Sequence, residues 1–285
     1  MNRLTFFCIL AGLAALHSCN KYDFAGFASV TDTHVNERFD ASMKLIEAHP
    51  VADVNAASED YEMYLVTDIH YDGTSDRLER FVSACTSDTV AEKVVLCLGD
   101  IVSGRDCQSA AFSQLQPLSE AGWRFLNALG NHDTFFREYD KFREFWPLTT
   151  YTFKVNVPSG ASDLFICLDT AEGSCGTSQR AWLEDQLKAA AGKYRSINVY
   201  THTHFFNTDI SQFPSGNFSL EDTYDLMSLF SRYGVTSVLT GHKHHFEHRS
   251  FRGVAYYTFN ALCNNRGSCY KVTFGKELQL KEINL

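Results

Sequence analysis

The sequence has little positive charge for its length. Its 285 residues include 25 lysines and arginines against 34 aspartates and glutamates, which gives a formal net charge of −9 at pH 7. No cluster of basic residues offsets this excess, and a negative surface repels the phosphate backbone of nucleic acids. We therefore expect no nucleic acid as a large-area partner.

Long apolar runs are also missing. The N-terminal apolar stretch from Leu4 to Leu16 is shorter than the ~20 residues that a helix needs to cross a bilayer. It follows one arginine, Arg3, and precedes small and polar residues, as the apolar region of a secretory signal does. We therefore predict that residues 1–18 are a signal peptide that is removed.

The end of this signal points to a lipid anchor. Leu16-His17-Ser18-Cys19 resembles the lipobox of bacterial lipoproteins, in which cleavage before the cysteine leaves a lipid on its sulfur. Several acyl chains, at ~0.8 kcal/mol per buried CH₂, would tether the protein to a membrane through Cys19. The alternative is an ordinary signal peptide that happens to contain Cys19. We prefer an exported bacterial lipoprotein, tethered in the periplasm or at the cell surface.

No C-x-x-C pair occurs among the nine cysteines, which argues against a thiolate zinc site. Cys97 and Cys167 lie in apolar runs, where cysteine behaves as a small hydrophobic residue, and we expect both in the core. Export would permit disulfides among the others, and the sequence leaves their pairing open. The cysteines available for pairing are Cys85, Cys107, Cys175, Cys263 and Cys269.

The length and the 45% apolar content fit one catalytic-sized domain. We assign residues 19–58 to a tether and a helix around Phe39 that Pro50 closes, and residues 59–285 to the main domain. From Glu62 onward, short apolar runs alternate with helical segments, a pattern typical of an α/β fold.

One helix is especially well defined. Ser219 can cap its start and Gly234 its end, and apolar residues recur at helical spacing between them. We therefore predict a helix from Ser219 to Tyr233.

Polar side chains follow five of the apolar runs, at the point where each run ends. Because the carboxyl ends of strands in an open α/β sheet converge on one crevice, five such loops can build one site. Glycines at positions 99, 130 and 241 fit this arrangement, since backbone that approaches a ligand closely leaves no room for a Cβ. The polar groups are Asp68 and His70, Asp100, Asn131 to Asp133, His202 and His204, and His242 and His244.

Each of these motifs alone has an ordinary structural explanation, such as a helix cap, a loop or a solvated histidine tract. Together, two carboxylates, an amide and four imidazoles in one crevice would be costly to bury without a cation. The sequence therefore predicts a metal site. Mixed imidazole, carboxylate and amide ligands suit Mn, Fe, Zn or Ni, which leaves the metal open.

The ordered set D-x-H, G-D, G-N-H-D, a histidine loop and G-H-x-H resembles the motifs of the calcineurin-like metallophosphoesterases. The segment TSQRAWLEDQL also resembles the helix that this family carries before its fourth motif. The resemblance implies a four-layer αββα sandwich of two mixed β-sheets flanked by helices. It also implies two divalent metal ions, with Asp100 as their bridge. The first ion would be held by Asp68, His70, Asp100 and His244, and the second by Asp100, Asn131, His202 and His242.

Two such ions are suited to cleaving phosphate esters. Divalent ions ~3.5–4 Å apart can clamp a phosphoryl group and lower the pKa of a shared, bridging water, so that hydroxide attacks phosphorus. By resemblance, His132 lies over the substrate, where it stabilises the transition state or protonates the leaving oxygen. Asp133 would orient His132, although it is equally suited to cap the helix expected after it. His132 and Asp133 are thus the predicted catalytic residues.

The sequence departs from the family pattern at two places. Position 103 is Ser, where relatives often have Asp or, in the purple acid phosphatases, Tyr, so we expect no tyrosinate-bound ferric ion. The fourth motif reads THTHFF without the His-Pro-like residues of many relatives, which leaves His204 as a rival to His202. We prefer His202, because it directly follows the strand and has small neighbours. His245 and His248 have no assigned role.

These arguments predict a monomeric, metal-dependent phosphohydrolase that acts on a small phosphorylated substrate, either a phosphomonoester or a phosphodiester. The alternatives are a non-catalytic surface scaffold that retains the fold, and a histidine-rich protein that captures several loosely held ions.

Four phenylalanines flank the metal loops and either stack on an aromatic part of the substrate or, as we prefer, pack into the core. They are Phe135, Phe136, Phe205 and Phe206.

Overall fold

The computed structural model describes residues 34–74, 76–103, 105–206, 217–265 and 267–285. The predicted signal peptide, Cys19 and most of the predicted tether lie outside these residues. Within the described ranges, no helix combines the length and the apolar character that a membrane span requires.

The chain alternates strands and helices from residue 54 onward. The helices are α1 (Val35–Ala48), α2 (Arg77–Thr86), α3 (Gln108–Glu120), α4 (Tyr139–Phe145), α5 (Thr177–Ala190) and α6 (Leu220–Tyr233), and a 3₁₀ helix covers His132–Arg137. The strands are β1 (Val54–Asn55), β2 (Tyr61–Val66), β3 (Val94–Cys97), β4 (Arg124–Asn127), β5 (Tyr151–Asn156), β6 (Ser162–Cys167), β7 (Ser196–Tyr200), β8 (Ser237–Thr240), β9 (Glu247–Phe251), β10 (Val254–Thr258), β11 (Ser268–Phe274) and β12 (Gln279–Asn284).

The strands form two mixed sheets. The smaller sheet has the order β12-β11-β2-β3-β4, with β2, β3 and β4 parallel and β11 antiparallel to both of its neighbours. The larger sheet has the order β1-β5-β6-β7-β8-β10-β9, with β6, β7, β8 and β10 parallel. Parallel neighbours direct their carboxyl ends to the same edge of a sheet, which is where the predicted motifs lie.

Strand β2 shows how the layers are held together. Successive side chains of a strand point to opposite faces, and β2 is buried on both. Met63 and Leu65 pack with Phe153 and Phe165 of the other sheet, so this core lies between the two sheets. Tyr64 on the opposite face packs against α2 in a separate core. A third core joins the larger sheet to α5 and α6, which completes the four layers that the family resemblance implies.

Several predicted elements are confirmed. Each of the five apolar runs that the polar motifs follow contains a strand, namely β2, β3, β4, β7 and β8. Helix α6 begins where predicted, because the Ser219 hydroxyl accepts a hydrogen bond from the Asp222 N–H at 3.0 Å. It ends at Gly234, which has the left-handed φ of 73° that glycine adopts at low cost.

Helix α1, which follows the predicted tether, is part of the folded unit. Its buried face consists of Val35, Arg38, Phe39 and Ser42, so a charged side chain is part of its packing surface. Arg38 donates two hydrogen bonds to the Asp169 carboxylate, at 2.7 and 3.0 Å, and both side chains are fully buried. This ion pair fixes α1 to the loop that follows β6.

Breaking this ion pair is expected to destabilise the protein strongly. Arg38→Met keeps an apolar stem of similar length but leaves the Asp169 carboxylate buried beside no guanidinium, which costs ~3–5 kcal/mol. Urea denaturation of the two proteins measures the difference. Arg143→Met is the control, because Arg143 pairs with Asp140 at 3.0 Å on the surface, where such pairs contribute about 1 kcal/mol or less. Equal losses in both variants would contradict the role given to Arg38.

Candidate active site

Five loops from the two sheets meet at one edge of the sandwich. The loops after β2, β3 and β4 come from the smaller sheet and carry Asp68, His70, Asp100 and Asn131. The loops after β7 and β8 come from the larger sheet and carry the histidines of the fourth and fifth motifs. The backbone N–H of His242 donates to Asp68 Oδ2 at 3.0 Å, which joins the two sheets at this edge.

The backbone of these loops is held in an uncommon conformation. Five of the seven predicted metal ligands have the left-handed φ that residues other than glycine rarely adopt. Each such residue costs about 1–3 kcal/mol and persists only where the surroundings enforce it, which is typical of functional sites. These residues are Asp68 (50°), His70 (47°), Asp100 (54°), His242 (70°) and His244 (58°).

The predicted need for glycine in the loops is confirmed. A Cβ at Gly130 would overlap the backbone N and the carboxylate of Asp100. A Cβ at Gly241 would overlap the Thr67 hydroxyl and lie 2.7 Å from Asp68 Oδ2. Backbone at these two positions therefore passes directly over the two buried carboxylates, as close approach requires.

One group of donor atoms surrounds His70. Its Nε2 lies 3.2 Å from His244 Nε2, 3.4 Å from Asp100 Oδ2 and 3.8 Å from Asp68 Oδ1. His244 Nε2 is in turn 3.1 Å from Asp68 Oδ1. These are the four residues predicted for the first ion, and the structure brings them together.

A second group surrounds His202 and shares Asp100 with the first. His202 Nε2 lies 3.0 Å from Asn131 Oδ1, 3.1 Å from His242 Nδ1 and 3.3 Å from Asp100 Oδ2. His242 Nδ1 is 2.9 Å from Asn131 Oδ1. The four residues predicted for the second ion are therefore also in contact, with Asp100 Oδ2 between the two groups.

The hydrogen bonds of His202 show that its group suits a cation. Nδ1 lies 2.8 Å from the carbonyl oxygen of Leu98, which can only accept, so Nδ1 carries the proton. When the ring is neutral, the lone pair on Nε2 faces Asn131 Oδ1 and Asp100 Oδ2, and both of these oxygens also offer lone pairs. Lone pairs that converge in this way form a site for positive charge, which either a proton or a metal ion can supply. The residues of this group therefore fit a metal.

The electrostatics of the crevice favour positive charge. Burial raises the pKa of Asp68, but hydrogen bonds with His244 and His70 outweigh it and hold the pKa well below its usual range. Burial lowers the pKa of His202, yet the neighbouring Asp100 raises it to about 9. In the same way, Asp68 raises the pKa of His244 to about 10 against the effect of burial. A cation bound here would displace these protons, so metal affinity should fall as pH falls.

His132 lies beside the first group. Its backbone N–H donates to Asp100 Oδ1 at 2.8 Å, and its half-buried ring packs against the rings of His70 and Phe135, each at 4.5 Å between centroids. Donor atoms of His132, His70 and Asp100 lie within 4.8 Å of one another. The predicted catalytic imidazole is therefore next to the metal-competent groups.

The role predicted for Asp133 in orienting His132 is corrected by the structure. The Asp133 carboxylate is fully buried and accepts hydrogen bonds from the backbone N–H groups of Asp100, Val102 and Gly130, at 2.9–3.0 Å. Burial and the Asp100 charge raise the pKa of Asp133 to about 7. Asp133 holds the second and third motif loops together, because both of its oxygens are directed at their backbone.

A model of the calcineurin-like phosphoesterases matches residues 62–246. This match covers more than half of the chain and contains every residue of both donor groups. The chain belongs to this family. No curated protein sequence matches the chain.

Solved structures agree with the phosphoesterase fold. A dimetal phosphatase from Danio rerio has a TM-score of 0.60 at 12% identity, over 79% of this chain and 98% of that chain. The purple acid phosphatase PPD1 from yellow lupin has a TM-score of 0.60 at 14% identity, over 80% of this chain and 52% of that chain. GAP50, the anchor in the inner membrane complex of Plasmodium, has a TM-score of 0.60 at 15% identity, over 79% of this chain and 84% of that chain. At these identities the likeness extends to the fold alone.

Membership in the phosphoesterase family implies a dimetal site and a metal-dependent phosphohydrolase activity in general. In this phosphoesterase the crevice with its two donor groups is the place where such a site can be built. The groups contain carboxylate, imidazole and amide donors, as expected from the sequence.

His202 and His204, the two candidate ligands of the fourth motif, have different surroundings. His202 contacts Asp100 and Asn131, whereas the ring of His204 stacks behind His242 with 5.6 Å between centroids. His204 Nδ1 is buried and has no hydrogen-bond partner among the described residues. Burial and the nearby Lys243 lower the pKa of His204 to about 4, so its ring is neutral. The geometry favours His202.

The sequence did not indicate Cys263 as part of the site. Its Sγ lies 3.8 Å from His244 Nδ1, and it forms a third metal-competent group with His70 and His244. Cys263 lies outside all five motifs, so only the return of the chain through residues 262–264 places it there. All seven cysteines in the described ranges are free thiols, and Cys97 and Cys167 are buried in the core as predicted.

The flanking aromatic residues pack into the protein. Phe205 is buried and contacts Phe218, Phe230 and Tyr256. Phe206 packs on Tyr256 at 5.2 Å between centroids. Phe135 is buried against His132, and the side chain of Phe136 lies outside the described part of the chain. The preferred prediction, packing rather than substrate stacking, fits these contacts.

Two further histidines of the GHKHHFEH segment lie away from the donor groups. His245 is exposed, and its Nδ1 contacts the Lys243 carbonyl oxygen at 3.0 Å. His248 lies on β9 and stacks on Tyr257 at 4.3 Å between centroids. Neither residue contacts the ligand sets in the described structure.

Proposed function

We propose that this protein is a binuclear phosphohydrolase that cleaves a phosphomonoester or a phosphodiester bond of a small phosphorylated substrate. The observation that carries the proposal is the position of Asp100 Oδ2, which lies 3.4 Å from a nitrogen of one donor group and 3.3 Å from a nitrogen of the other. A carboxylate shared in this way is suited to bridge two ions. When bound, two divalent ions supply Lewis-acid polarisation of the phosphoryl group and activation of water.

The two groups divide the ligands between the ions. Both ions share Asp100, and the shared carboxylate keeps the two positions adjacent. The first ion would be held by Asp68, His70, Asp100 and His244, and the second by Asp100, Asn131, His202 and His242. The mixed donors fit Mn, Fe, Zn or Ni.

Residues of the chain itself would orient the substrate and move a proton. His132 is half-buried beside the first group, and its backbone bond to Asp100 fixes the start of the 3₁₀ helix that carries it. From there its imidazole would hold a phosphoryl oxygen or give a proton to the leaving oxygen. Asp133 would act indirectly, by holding the loops that carry Asp100 and Asn131.

The proposal is tested by counting ions and measuring turnover on the same purified protein. Elemental analysis should give two ions per chain, and with Mn²⁺ the protein should hydrolyse at least one class among phosphomonoesters, phosphodiesters and pyrophosphates. A chelator should remove both the ions and the activity. His245→Ala is the matched control, because this exposed histidine lies outside the donor groups and should change neither result.

Other outcomes would assign another function. Two bound ions without hydrolysis of any substrate class would favour a scaffold that retains the fold. Several weakly held ions, whose number falls in His245→Ala, would favour metal capture by the histidine-rich segment. Two bound ions without hydrolysis would leave the assignment of the two donor groups unchanged, whereas several weakly held ions would contradict that assignment.

We also propose that the protein acts as an exported monomer that is tethered to a bacterial membrane through lipid on Cys19. The support is the sequence Leu16-His17-Ser18-Cys19 alone, which lies outside the described residues. Cys19→Ser is expected to move the protein from the membrane fraction to the soluble fraction without loss of activity, because every residue assigned to the site lies far downstream of Cys19 in the sequence. Equal membrane association of variant and parent would contradict the anchor.

A further inference from the structure

His242 is held from both sides. Its Nδ1 faces the second donor group, at 2.9 Å from Asn131 Oδ1 and 3.1 Å from His202 Nε2. Its Nε2 lies on the far side of the ring, 3.1 Å from Asn217 Oδ1. Asn217 lies outside the five motifs, two residues before the Ser219 cap of α6, so no sequence pattern assigned it to the site.

The two histidines of the second group present opposite nitrogens to it. His202 presents Nε2, because its Nδ1–H is directed at the Leu98 carbonyl oxygen. His242 presents Nδ1, and an imidazole that presents Nδ1 must carry its proton on Nε2. In a neutral imidazole, the nitrogen that is free to bind metal is determined by the hydrogen bond that the opposite nitrogen donates. For His202 this hydrogen bond is to the backbone carbonyl oxygen of Leu98, and for His242 it is to the side chain of Asn217.

The position of Asn217 is itself fixed by close packing. Gly173, in the loop after β6, has a φ of 68°, and a Cβ there would overlap the backbone carbonyl group of Asn217. The segment that carries Asn217 therefore rests directly on glycine backbone. Such a contact places the amide reproducibly behind the His242 ring.

We propose that Asn217 is a positioning residue for the second ion: its Oδ1 accepts the Nε2 proton of His242, which leaves Nδ1 free to bind metal. The proposal rests on the assignment of His242 to the dimetal site. Outer partners of this kind contribute about 10–100-fold to metal affinity. Loss of the acceptor should therefore weaken the second ion and leave the first unchanged.

The first test measures the His242 tautomer in the metal-free protein by ¹⁵N NMR of the imidazole nitrogens, assigned with a His242→Gln variant. The parent should show a protonated Nε2 and an unprotonated Nδ1. Asn217→Leu should give a mixture of tautomers, and Asn217→Asp, which keeps an oxygen acceptor, should restore the parent pattern. Asn36→Leu is the matched control, since Asn36 bonds to the start of α5 and not to the site.

The second test measures Mn²⁺ binding by equilibrium dialysis. Asn131→Ala removes a donor from the second group only and so identifies the corresponding step of the binding curve. Asn217→Leu should weaken that step about 10–100-fold, Asn217→Asp should recover most of it, and Asn36→Leu should not change it. Gly173→Ala, which displaces the Asn217 segment without altering its side chain, should weaken the same step.

The outcomes separate this proposal from the assigned function. An unchanged tautomer and an unchanged binding step in Asn217→Leu would overturn the positioning role. Weakening of both steps together, with loss of thermal stability in the metal-free protein, would show a structural role instead and would equally overturn it. If the parent binds no metal, the dimetal assignment fails, and the NMR result alone decides whether Asn217 sets the tautomer.

Discussion

Asp100→Asn is expected to lose both metal ions and most of the activity. Asp100 Oδ2 contacts both His70 and His202, and the carboxamide that replaces this carboxylate has no negative charge to share. Loss of an outer partner already costs about 10–100-fold in affinity, so loss of the shared ligand should cost more at each position. Turnover should fall at least ~10²–10³-fold, as it does when one preorganised electrostatic group is removed.

The measurement is metal content at fixed free Mn²⁺, together with turnover. Asp163→Asn is the matched control, because Asp163 is equally buried and pairs with Arg195 and Tyr61 far from the crevice. It should reduce stability and leave two ions bound. Two full equivalents of metal in Asp100→Asn would contradict its place as the bridge.

Asp133→Asn should behave differently from Asp100→Asn, although the two side chains are neighbours. The amide loses one of the two oxygens that accept backbone N–H groups and places a donor against them, which should cost ~1–3 kcal/mol of stability. Because Asp133 contacts loop backbone rather than the donor groups, metal content should stay near two per chain. Thermal unfolding and elemental analysis distinguish these effects. Complete loss of metal in Asp133→Asn would mean that this carboxylate is a ligand.

The sequence predicted the parts of the fold that are buried on both faces. Strands such as β3 and β8 are buried along their whole length, and in each case the metal-competent residues follow shortly after the strand. The apolar signal for the strand and the polar residues of the site therefore occur together in one short segment of sequence. The glycines at 130 and 241 could be interpreted for the same reason, since each lies beside a motif carboxylate.

Elements at the edges were harder to predict. Strand β9 is largely exposed and carries charged residues, and β12 is exposed or half-buried throughout, so neither has an apolar signal. Strand β5 does alternate buried and half-buried residues, and its period of two could have been found. Its sequence, YTFKVN, places the charged Lys154 and the polar Asn156 among apolar residues, so no continuous apolar run marks this strand.

Contacts between distant segments that lie outside the five motifs could not be predicted. Arg38 and Asp169 are 131 residues apart, and a single arginine on a helix is more often solvated than buried. Asn217 approaches His242 only because Gly173 leaves room for its backbone. Asp133 was expected to orient its neighbour in sequence or to cap a helix, but its carboxylate is directed at the backbone of the loop after β3 and at Gly130 of its own loop. Proximity along the chain was misleading there.

His132→Ala is expected to keep both ions and to lose turnover by roughly 10²–10⁴-fold on substrates with poor leaving groups. The ring lies beside His70 without being needed in either set of four ligands, so metal content should be unchanged. A proton donor matters most when the leaving oxygen is strongly basic. Alkyl phosphates should therefore be affected much more than nitrophenyl phosphate, whose leaving group departs without protonation.

The dependence on the leaving group decides which role His132 has. The measurement is kcat/KM for parent and variant over a series of phosphate esters with leaving groups of increasing pKa, with His245→Ala as the control. A loss that grows with leaving-group pKa identifies His132 as the acid, because only proton transfer couples the imidazole to that oxygen. A constant loss over the series means that His132 holds a phosphoryl oxygen instead, since that contact is the same for every ester. Full activity on every ester would remove His132 from the reaction, and a fall in metal content would make it a ligand, as its distance from His70 and Asp100 permits.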